Sequence, residues 1–195
     1  MRIELHDVCK SYDGQPVLRD LTASLEGRVV ITGPSGCGKT TLSRLLLGLE
    51  VPDSGTVQMD GRLSAVFQED RLCPGLTAFD NVALVCPADA DPERIRRGFA
   101  ALGLGREDWE KPARQLSGGQ KRRTAILRAL LAPADGIQMD EPFKGLDPDT
   151  KQAAMTFVRE QTRGRLLLLI THDADEVEFF GPQQLAIVPL REETR

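Results

Sequence analysis

Long apolar runs are missing from this sequence of 195 residues. No stretch approaches the roughly 18 consecutive apolar residues that a membrane-spanning helix needs. Residues 1–20 are too polar for a signal peptide. The sequence therefore predicts neither a membrane span nor a secretory leader, and we expect a cytoplasmic location.

A surplus of basic residues is also missing, because 25 Lys and Arg stand against 29 Asp and Glu and give a formal net charge of −4. A nucleic-acid partner usually requires a basic face, so we expect none. The four cysteines, Cys9, Cys37, Cys73 and Cys86, lack metal-ligand spacing and are typical of free thiols in a cytosolic protein. Hydrophobic residues make up 41% of the chain, enough for a substantial core.

A glycine-rich segment joins an apolar strand pattern at residues 29–31 to a helical pattern that begins near Leu42. It has the pattern G-x-x-x-x-G-K-[ST] of a phosphate-binding loop, in which backbone N–H groups meet phosphate oxygens at a helix N-terminus. Lys39 is expected to reach the β and γ phosphates, and Thr40 to place its hydroxyl on Mg²⁺. The predicted nucleotide-binding residues are Gly33, Pro34, Ser35, Gly36, Cys37, Gly38, Lys39, Thr40 and Thr41.

A second glycine-rich motif, Leu116-Ser117-Gly118-Gly119-Gln120, precedes another helical pattern. Ser117 and the N–H groups of the two glycines can donate hydrogen bonds at the positive end of that helix, which predicts a second anion site. The alternative is an ordinary N-cap followed by a glycine-rich turn.

Strand patterns alternate with helical patterns toward both ends of the chain, which favours a largely parallel sheet with helices on its faces. The predicted strands are residues 3–12, placed at a sheet edge, and 17–25, 29–32, 56–59, 63–67, 136–139, 166–170 and 185–190. The turn Asp60-Gly61 favours a hairpin between the strands at 56–59 and 63–67. The predicted helices are residues 41–48, 92–104, 120–131, 149–161 and 173–180.

The order of these motifs resembles that of the ATP-binding-cassette (ABC) ATPases, from Ile3 to about Leu190. The resemblance implies an α/β fold of the P-loop NTPase (RecA-like) type: a mostly parallel sheet flanked by helices, a small antiparallel β subdomain and a helical subdomain that carries the signature. We expect one ABC ATPase domain over residues 1–195, with its core at about 1–70 and 125–195 and the helical subdomain at about 72–124.

The resemblance also implies roles for single residues outside the phosphate loop. Tyr12 matches the residue that stacks on adenine, Gln68 the glutamine that touches Mg²⁺ and the attacking water, and His172 the switch histidine. Asp140 matches the metal-binding aspartate and Glu141 the catalytic glutamate. The signature corresponds to Ser117, Gly118, Gly119 and Gln120. In the family, two subunits pair head to tail, and each ATP lies between one subunit's phosphate loop and the other's signature.

The residue chemistry agrees with these roles. Asp140 ends an apolar strand, where its carboxylate is expected to emerge near the phosphates and bind Mg²⁺. Glu141 is expected to accept a proton from the attacking water, and Lys39 to stabilise charge on the transferring phosphoryl group. The alternatives are a structural Glu–Lys pair for Glu141, a polar surface position for His172 and a half-buried edge-strand position for Tyr12.

Three other features are interpreted more plainly. Gln138 interrupts an apolar strand and needs a hydrogen-bond partner rather than a function. The basic residues of the helix after the signature are expected to form a solvated face with salt bridges: Lys121, Arg122, Arg123 and Arg128. The apolar residues after Gln68 fit both a groove for a membrane subunit and internal core: Leu72, Leu76, Phe79 and Val82.

One departure from the family pattern stands out: Lys144 occupies a position where serine is usual, directly before Gly145-Leu146-Asp147, which match the loop that crosses to the partner subunit. The wording around Gln68 and Glu141 looks like that of the nitrate, sulfonate and taurine importer branch. The resemblance therefore implies an ATPase that binds ATP and Mg²⁺ and powers transport, with import expected. The expected partners are a second copy of the chain, transmembrane permease subunits at the inner face of the membrane, and an extracytoplasmic solute-binding protein. The alternatives are an ABC-type ATPase that acts on ribosomes, chromosomes or cofactor assembly, and a small-molecule phosphotransferase.

Overall fold

The computed structural model of the protein describes residues 1–181 and 183–188. The strands are β1 Arg2–Tyr12, β2 Gln15–Glu26, β3 Arg28–Thr32, β4 Ser54–Met59, β5 Leu63–Val66, β6 Gly136–Asp140, β7 Leu166–Ile170 and β8 Gln183–Ala186. The helices are α1 Lys39–Leu46, α2 Ala78–Ala83, α3 Pro92–Ala101, α4 Arg106–Trp109, α5 Gly118–Leu131, α6 Pro148–Gln161 and α7 Ala174–Phe180. A short 3-10 helix covers Ala113–Gln115.

The larger sheet has the strand order β5-β6-β7-β3-β8, and every pair of neighbouring strands in it is parallel. Its central strands β3, β6 and β7 are short apolar runs, as expected of strands that are buried on both faces. Because the strands are parallel, β3 and β6 end at the same edge of the sheet, at Thr32 and Asp140, and β7 ends there at Ile170. This shared edge positions the candidate site.

The two faces of the larger sheet belong to different hydrophobic clusters. Val29 and Ile31 of β3 pack in the cluster that includes α1 and the smaller sheet. Val30, which points the other way, packs in the cluster that includes α5 and α6. Strand β7 alternates in the same manner, with Leu168 in the first cluster and Leu169 in the second. This period of two places a helical layer on each face of the sheet.

The smaller sheet is antiparallel, has the order β2-β1-β4, and corrects two of the expectations above. Strand β1 lies in the centre of this sheet rather than at its edge, because both β2 and β4 pair with it. Strands β4 and β5 do not form a hairpin around Asp60-Gly61, because β4 pairs with β1 and β5 pairs with β6. The alternating pattern of one strand shows which face is buried but not which strand is its partner.

The last predicted strand is shorter than expected. Strand β8 spans Gln183–Ala186, and the predicted end at Pro189 and Leu190 lies outside the described residues. The helices begin and end within a few residues of their predicted limits. No helix in the described ranges combines the length and the apolar character needed to cross a membrane.

Candidate functional site

The phosphate loop connects the buried strand β3 to helix α1 at the carboxyl edge of the larger sheet. Gly38 is the N-cap of α1 and carries no capping side chain, so the first N–H groups of the helix remain for a ligand. Gly38 has φ +103°, and a Cβ on it would lie 3.0 Å from side-chain atoms of Val17 and Leu18. A Cβ on Gly33 would overlap the Ile187 carbonyl oxygen. Both positions therefore require glycine.

Lys39 turns back over its own loop. Its ammonium donates hydrogen bonds to the carbonyl oxygens of Gly33 and Pro34, both at 2.7 Å. The Nζ atom therefore lies over the concave side of the loop, where its charge can meet phosphate oxygens. Cys37 is buried in the same loop, with its Sγ 3.8 Å from Lys39 Nζ. Thr40 is exposed in the first turn of α1.

Asp140 ends β6 at the edge that the phosphate loop shares. It is partly buried and makes no ion pair with any residue in the described ranges. Burial raises the pKa of Asp140, the neighbouring charge of Glu141 raises it further, and Lys39 acts in the opposite direction. A partly buried carboxylate without a counter-ion is a position where a bound cation is favourable.

Glu141 has both carboxylate oxygens engaged. Lys144 Nζ donates to Oε2 at 2.6 Å, and His172 Nδ1 lies 2.9 Å from Oε1. Burial opposes the ionisation of Glu141, but the hydrogen bond and charge of Lys144, with the contact of His172, lower its pKa overall. The structure therefore contains both the Glu–Lys pair and the Glu–His contact, and keeps the carboxylate ionised.

Backbone geometry also positions Glu141. Its φ is +45°, a left-handed value that residues other than glycine adopt rarely. Its N–H donates to the carbonyl of Ile170 at the end of β7 at 2.9 Å. His172 follows β7 by two residues, and its side chain is 68% exposed. The ends of β6 and β7 thus bring Glu141 and His172 together beside the phosphate loop.

The signature motif begins helix α5. Ser117 is the N-cap: its hydroxyl accepts from Gln120 N–H at 3.2 Å, and Gln120 Oε1 accepts from Ser117 N–H at 2.8 Å. The motif is therefore an N-cap, as the plainer interpretation holds, and Gln120 also donates to Asp108 at 2.8 Å. Ser117 and Gly118 remain exposed, while Gly119 faces Leu146 of the predicted crossing loop. None of these contacts involves the phosphate loop of the same chain. The exposed surface of the signature therefore faces solvent.

Tyr12 ends β1 and is 39% exposed. The hydroxyl donates to Glu50, and Lys10 Nζ lies 5.7 Å from the ring centroid. The hydrogen bond from Tyr12 lowers the pKa of Glu50. An exposed ring that is anchored at its hydroxyl leaves a face available for stacking.

Gln68 lies in an exposed loop after β5, and two arginines of α5 hold that loop. Arg122 donates to the carbonyls of Phe67 and Gln68, and Arg128 to those of Asp70 and Arg71. Arg122 also pairs with Asp70 at 3.1 Å. The expected salt bridge is therefore present at Arg122, but the expectation of a solvated face is wrong for Arg122 and Arg128, which hold the loop. Guanidinium groups with five donors suit such carbonyl contacts.

Other predicted positions have plain roles. The buried Gln138 side chain donates through Nε2 to Ser43 of α1 at 2.5 Å, while its Oε1 has no hydrogen-bond partner among the described residues. Val82 is fully buried in the core, while Leu72 and Phe79 pack against it and Leu76 is 37% exposed. The sequence did not indicate that Glu50 accepts from Tyr12 or that Asp108 accepts from Gln120. It also did not indicate that Arg122 and Arg128 hold the loop after β5. Their partners lie far away in sequence, and no local signal reports such pairs.

Comparison with known proteins agrees with this geometry. A family model described as ABC transporter matches residues 19–144. The taurine import ATP-binding protein TauB of Pseudomonas aeruginosa is 41% identical over 181 residues, which cover 85% of this chain and 69% of that protein. The aliphatic sulfonates import ATP-binding protein SsuB 3 of Paraburkholderia xenovorans is 39% identical over 182 residues, covering 90% of this chain and 72% of that protein.

A solved dimeric structure of a post-hydrolysis state of the ATP-binding cassette MJ0796, bound to ADP and Pi, matches this chain with a TM-score of 0.86 and 26% identity. The match covers 98% of this chain and 97% of that chain. The expected α/β P-loop NTPase fold and the resemblance to the taurine and sulfonate importer branch are confirmed. The chain belongs to the ABC transporter family, as a subunit that binds and hydrolyses ATP.

Proposed function

We propose that this ATPase drives solute import through separate permease subunits, with hydrolysis carried out by the residues at the carboxyl edge of the larger sheet. The observation that carries the proposal is the meeting of an uncapped helix N-terminus, Lys39 and the Glu141–His172 pair at that edge. The names of the relatives, which are import ATP-binding proteins for taurine and aliphatic sulfonates, support import.

The residues present fit Mg²⁺ as a cofactor. Thr40 and Gln68 are exposed and offer neutral oxygens, and Asp140 offers a carboxylate that lacks a counter-ion among the described residues. Mg²⁺ prefers oxygen ligands and is usually held by one or two carboxylates together with substrate phosphates. We propose that Thr40, Gln68 and Asp140 hold it, where it would supply positive charge beside the phosphates.

The chain's own residues account for the remaining chemistry. The N–H groups at the start of α1 bind the phosphates, and Lys39 leaves its loop carbonyls to meet them. Glu141 orients the attacking water and accepts its proton, while His172 contacts both Glu141 and the γ phosphate. Tyr12 stacks on adenine through its exposed ring face.

We further propose that two copies pair head to tail, so that Ser117, Gly118, Gly119 and Gln120 of one copy contact the γ phosphate held by the other. Ser117 and Gly118 are exposed at the positive end of α5, away from their own phosphate loop. The dimeric state of the structural relative supports this arrangement.

The permease is proposed to dock on the helical segment after Gln68, at the inner face of the membrane. A cavity of about 250 Å³ there is lined by Phe79, Arg96 and Trp109, with Thr77, Asp80 and Glu110 around them. Leu76 is exposed close by. A cavity lined by both aromatic and charged side chains is suited to a short amphipathic helix. An extracytoplasmic solute-binding protein completes the proposed importer.

The signature assignment is tested with Ser117→Arg. The larger, charged side chain would block the approach of the partner's triphosphate, so we expect MgATP turnover to fall by at least a hundredfold while ATP binding to the monomer stays within threefold of wild type. The measurements are steady-state phosphate release and fluorescent-nucleotide titration.

The matched control is Ala100→Arg, which adds the same side chain at an exposed position of α3. It should leave turnover unchanged. Loss of nucleotide binding to the monomer in Ser117→Arg would show that the signature serves its own phosphate loop. Failure of the protein to co-purify with any polytopic membrane protein would contradict the transport role while leaving the ATPase assignment intact.

A further inference from the structure

A cavity outside the nucleotide site lies at the opposite edge of the parallel sheet, where β3 and β7 begin. Its volume is about 580 Å³. Arg28 opens β3, and Arg165 stands directly before β7. The end of α6 and the turn that follows it provide the other wall. The lining residues are Met1, Gly27, Arg28, Arg159, Thr162, Arg163, Gly164, Arg165 and Leu166.

Four of the nine lining residues are arginines, and none of them forms an ion pair with any residue in the described ranges. Arg159 stacks on the ring of Phe179, with its guanidinium carbon 4.1 Å from the ring centroid. Arg163 is exposed. The nearest acid along α6, Glu160, lines a different cavity, between α3 and α6. None of the four arginines therefore has a carboxylate within ion-pair distance among the described residues.

Arg165 is the most constrained member of the group. Its two terminal nitrogens donate to the carbonyls of Leu130 and Ala134 at 3.0 and 2.9 Å, while its Nε is buried without a partner. Burial lowers the pKa of Arg165, the charge of Arg94 acts in the same direction, and Asp135 opposes them. A nearby anion would relieve this unfavourable environment.

An alternative explanation is that the arginines only neutralise the C-terminal end of the α6 dipole. That end carries the equivalent of about half a negative charge, and the carbonyls of Val158 and Glu160 already accept from Thr162 and Arg163 N–H groups. The four positive charges of the guanidinium groups far exceed this partial negative charge of the helix end. The arginines therefore bring more positive charge to the cavity than the end of the α6 dipole can offset.

We propose that this cavity, here termed the arginine cavity, binds a small anion that bears two or more phosphate groups. Its volume falls within the range of about 300–1,000 Å³ that small-molecule sites occupy. Guanidinium groups bind phosphate oxygens in pairs and stay charged at all physiological pH values. Lipid headgroups offer the same phosphate chemistry, and a measurement with lipid vesicles separates them from a free molecule.

The test uses pyrophosphate as the probe and isothermal titration calorimetry as the readout. Because pyrophosphate can also occupy the nucleotide loop, all proteins carry Lys39→Ala, which removes the loop's ammonium. We expect saturable binding of one pyrophosphate per chain. Adding Arg28→Gln and Arg163→Gln together should weaken the affinity for pyrophosphate at least tenfold. Arg163→Gln alone should weaken it at least threefold, and this position is exposed, so the substitution should not disturb folding.

The matched control pairs Arg97→Gln with Arg106→Gln, which removes the same charge from exposed positions on α3 and α4. Its affinity should stay within twofold of the Lys39→Ala parent. No binding by the parent, or an equal loss in both double variants, would overturn the proposal. The proposal would also be overturned if the protein had no affinity for pyrophosphate and sedimented with phosphatidylglycerol vesicles but not with phosphatidylcholine vesicles.

Discussion

Glu141 combines an unfavourable backbone conformation with side-chain contacts to Lys144 and His172. A left-handed conformation in a residue other than glycine costs of the order of 1–3 kcal/mol, and Glu141 has φ +45°. The bond from its N–H to Ile170 and the side-chain contacts with Lys144 and His172 hold the residue there. The strained conformation of Glu141 is therefore kept by these contacts, and it places the carboxylate at the carboxyl edge of the larger sheet, near the phosphate loop.

The first prediction concerns Glu141→Gln. The amide keeps the size of the side chain but cannot accept a proton, and general-base catalysis contributes about 10²- to 10⁴-fold to rate. We expect turnover to fall within that range while ATP binding persists and a nucleotide-bridged dimer accumulates. Phosphate release and size-exclusion chromatography with MgATP measure the two effects.

Glu160→Gln is the control for Glu141→Gln, because it removes the same charge from an exposed position of α6. It should turn over ATP at the wild-type rate and elute as wild type does. Wild-type turnover in Glu141→Gln would refute the assignment of the base.

Lys144 shows why the roles of single residues are hard to predict from sequence. The spacing of Glu141 and Lys144 favours a structural ion pair, whereas the family pattern favours catalysis, and the sequence leaves the two interpretations as alternatives. The structure shows the Lys144 and His172 contacts on separate carboxylate oxygens. The ion pair and the catalytic role are therefore compatible at this position.

At the scale of elements, the strands that carry the site were the most predictable part. Strands β3, β6 and β7 are short apolar runs because both of their faces are buried, and each is followed within two residues by a residue of the site. The phosphate loop and the signature were predictable for a related reason. Their chemistry depends on backbone N–H groups and glycines at fixed spacing, which a sequence records directly.

Pairing between distant elements was not predictable. The sequence placed β1 at an edge and joined β4 to β5, yet β1 is central and β4 pairs with it. Likewise, nothing near Arg128 in the sequence points to the carbonyls of Asp70 and Arg71. Such contacts form between segments that are distant in sequence, so the local periodicity of either segment does not predict them.

The second prediction concerns Arg128→Met, which keeps the length of the side chain but removes its donors. Two carbonyls of the loop that carries Gln68 lose their hydrogen-bond donors, and a typical intramolecular hydrogen bond contributes about 0.5–1.5 kcal/mol net to stability. We expect the free energy of unfolding in urea to fall by about that amount, together with reduced ATP turnover as Gln68 shifts. Arg106→Met, in an exposed pair with Glu110, should change stability by less than about 0.5 kcal/mol.

The third prediction concerns Asp173, the N-cap of α7. Its carboxylate accepts from Asp175 N–H at 3.0 Å and from Lys151 Nζ at 2.5 Å. The hydrogen bond from Lys151 lowers the pKa of Asp173 below its usual value. Loss of such a cap costs about 1 kcal/mol, and we expect Asp173→Ala to lower the free energy of unfolding by about that amount at pH 7.

The pH dependence of Asp173→Ala follows from the direction of the shift. The pKa of Asp173 is lower in the folded state than in the unfolded state, where it is about 3.9. The stabilisation by the ionised carboxylate is therefore fully present above about pH 5. It is lost as the pH falls through the unfolded-state pKa and then the folded-state pKa. The difference between wild type and variant in urea should therefore begin to shrink as the pH falls below about 4 and should approach zero only below the folded-state pKa. A difference that is constant from pH 7 to 3 would contradict a role for the ionised carboxylate; Asp149→Ala, an exposed acid of α6, controls for general charge effects.

At the scale of the whole molecule, the helical segment shares its core with the parallel sheet. Ile95 and Phe99 of α3 belong to the same hydrophobic cluster as Val30 and Met139 of the sheet. Trp109 packs against this cluster and stacks on Phe99 with ring centroids 5.7 Å apart. A segment that lacks a separate core is not expected to unfold separately. We therefore propose that the chain behaves as one domain.

This proposal leads to the fourth prediction, in which two probes follow urea unfolding. Trp109 is the only tryptophan, so its fluorescence reports the helical segment, whereas far-UV circular dichroism reports the whole chain. We expect the two transitions to coincide. Ile95→Val, which removes one buried methyl group at a cost of about 0.5–1.5 kcal/mol, should lower both midpoints together. If only the fluorescence transition moved, the helical segment would be an independent unit, and the shared cluster would not couple it to the sheet that carries the site.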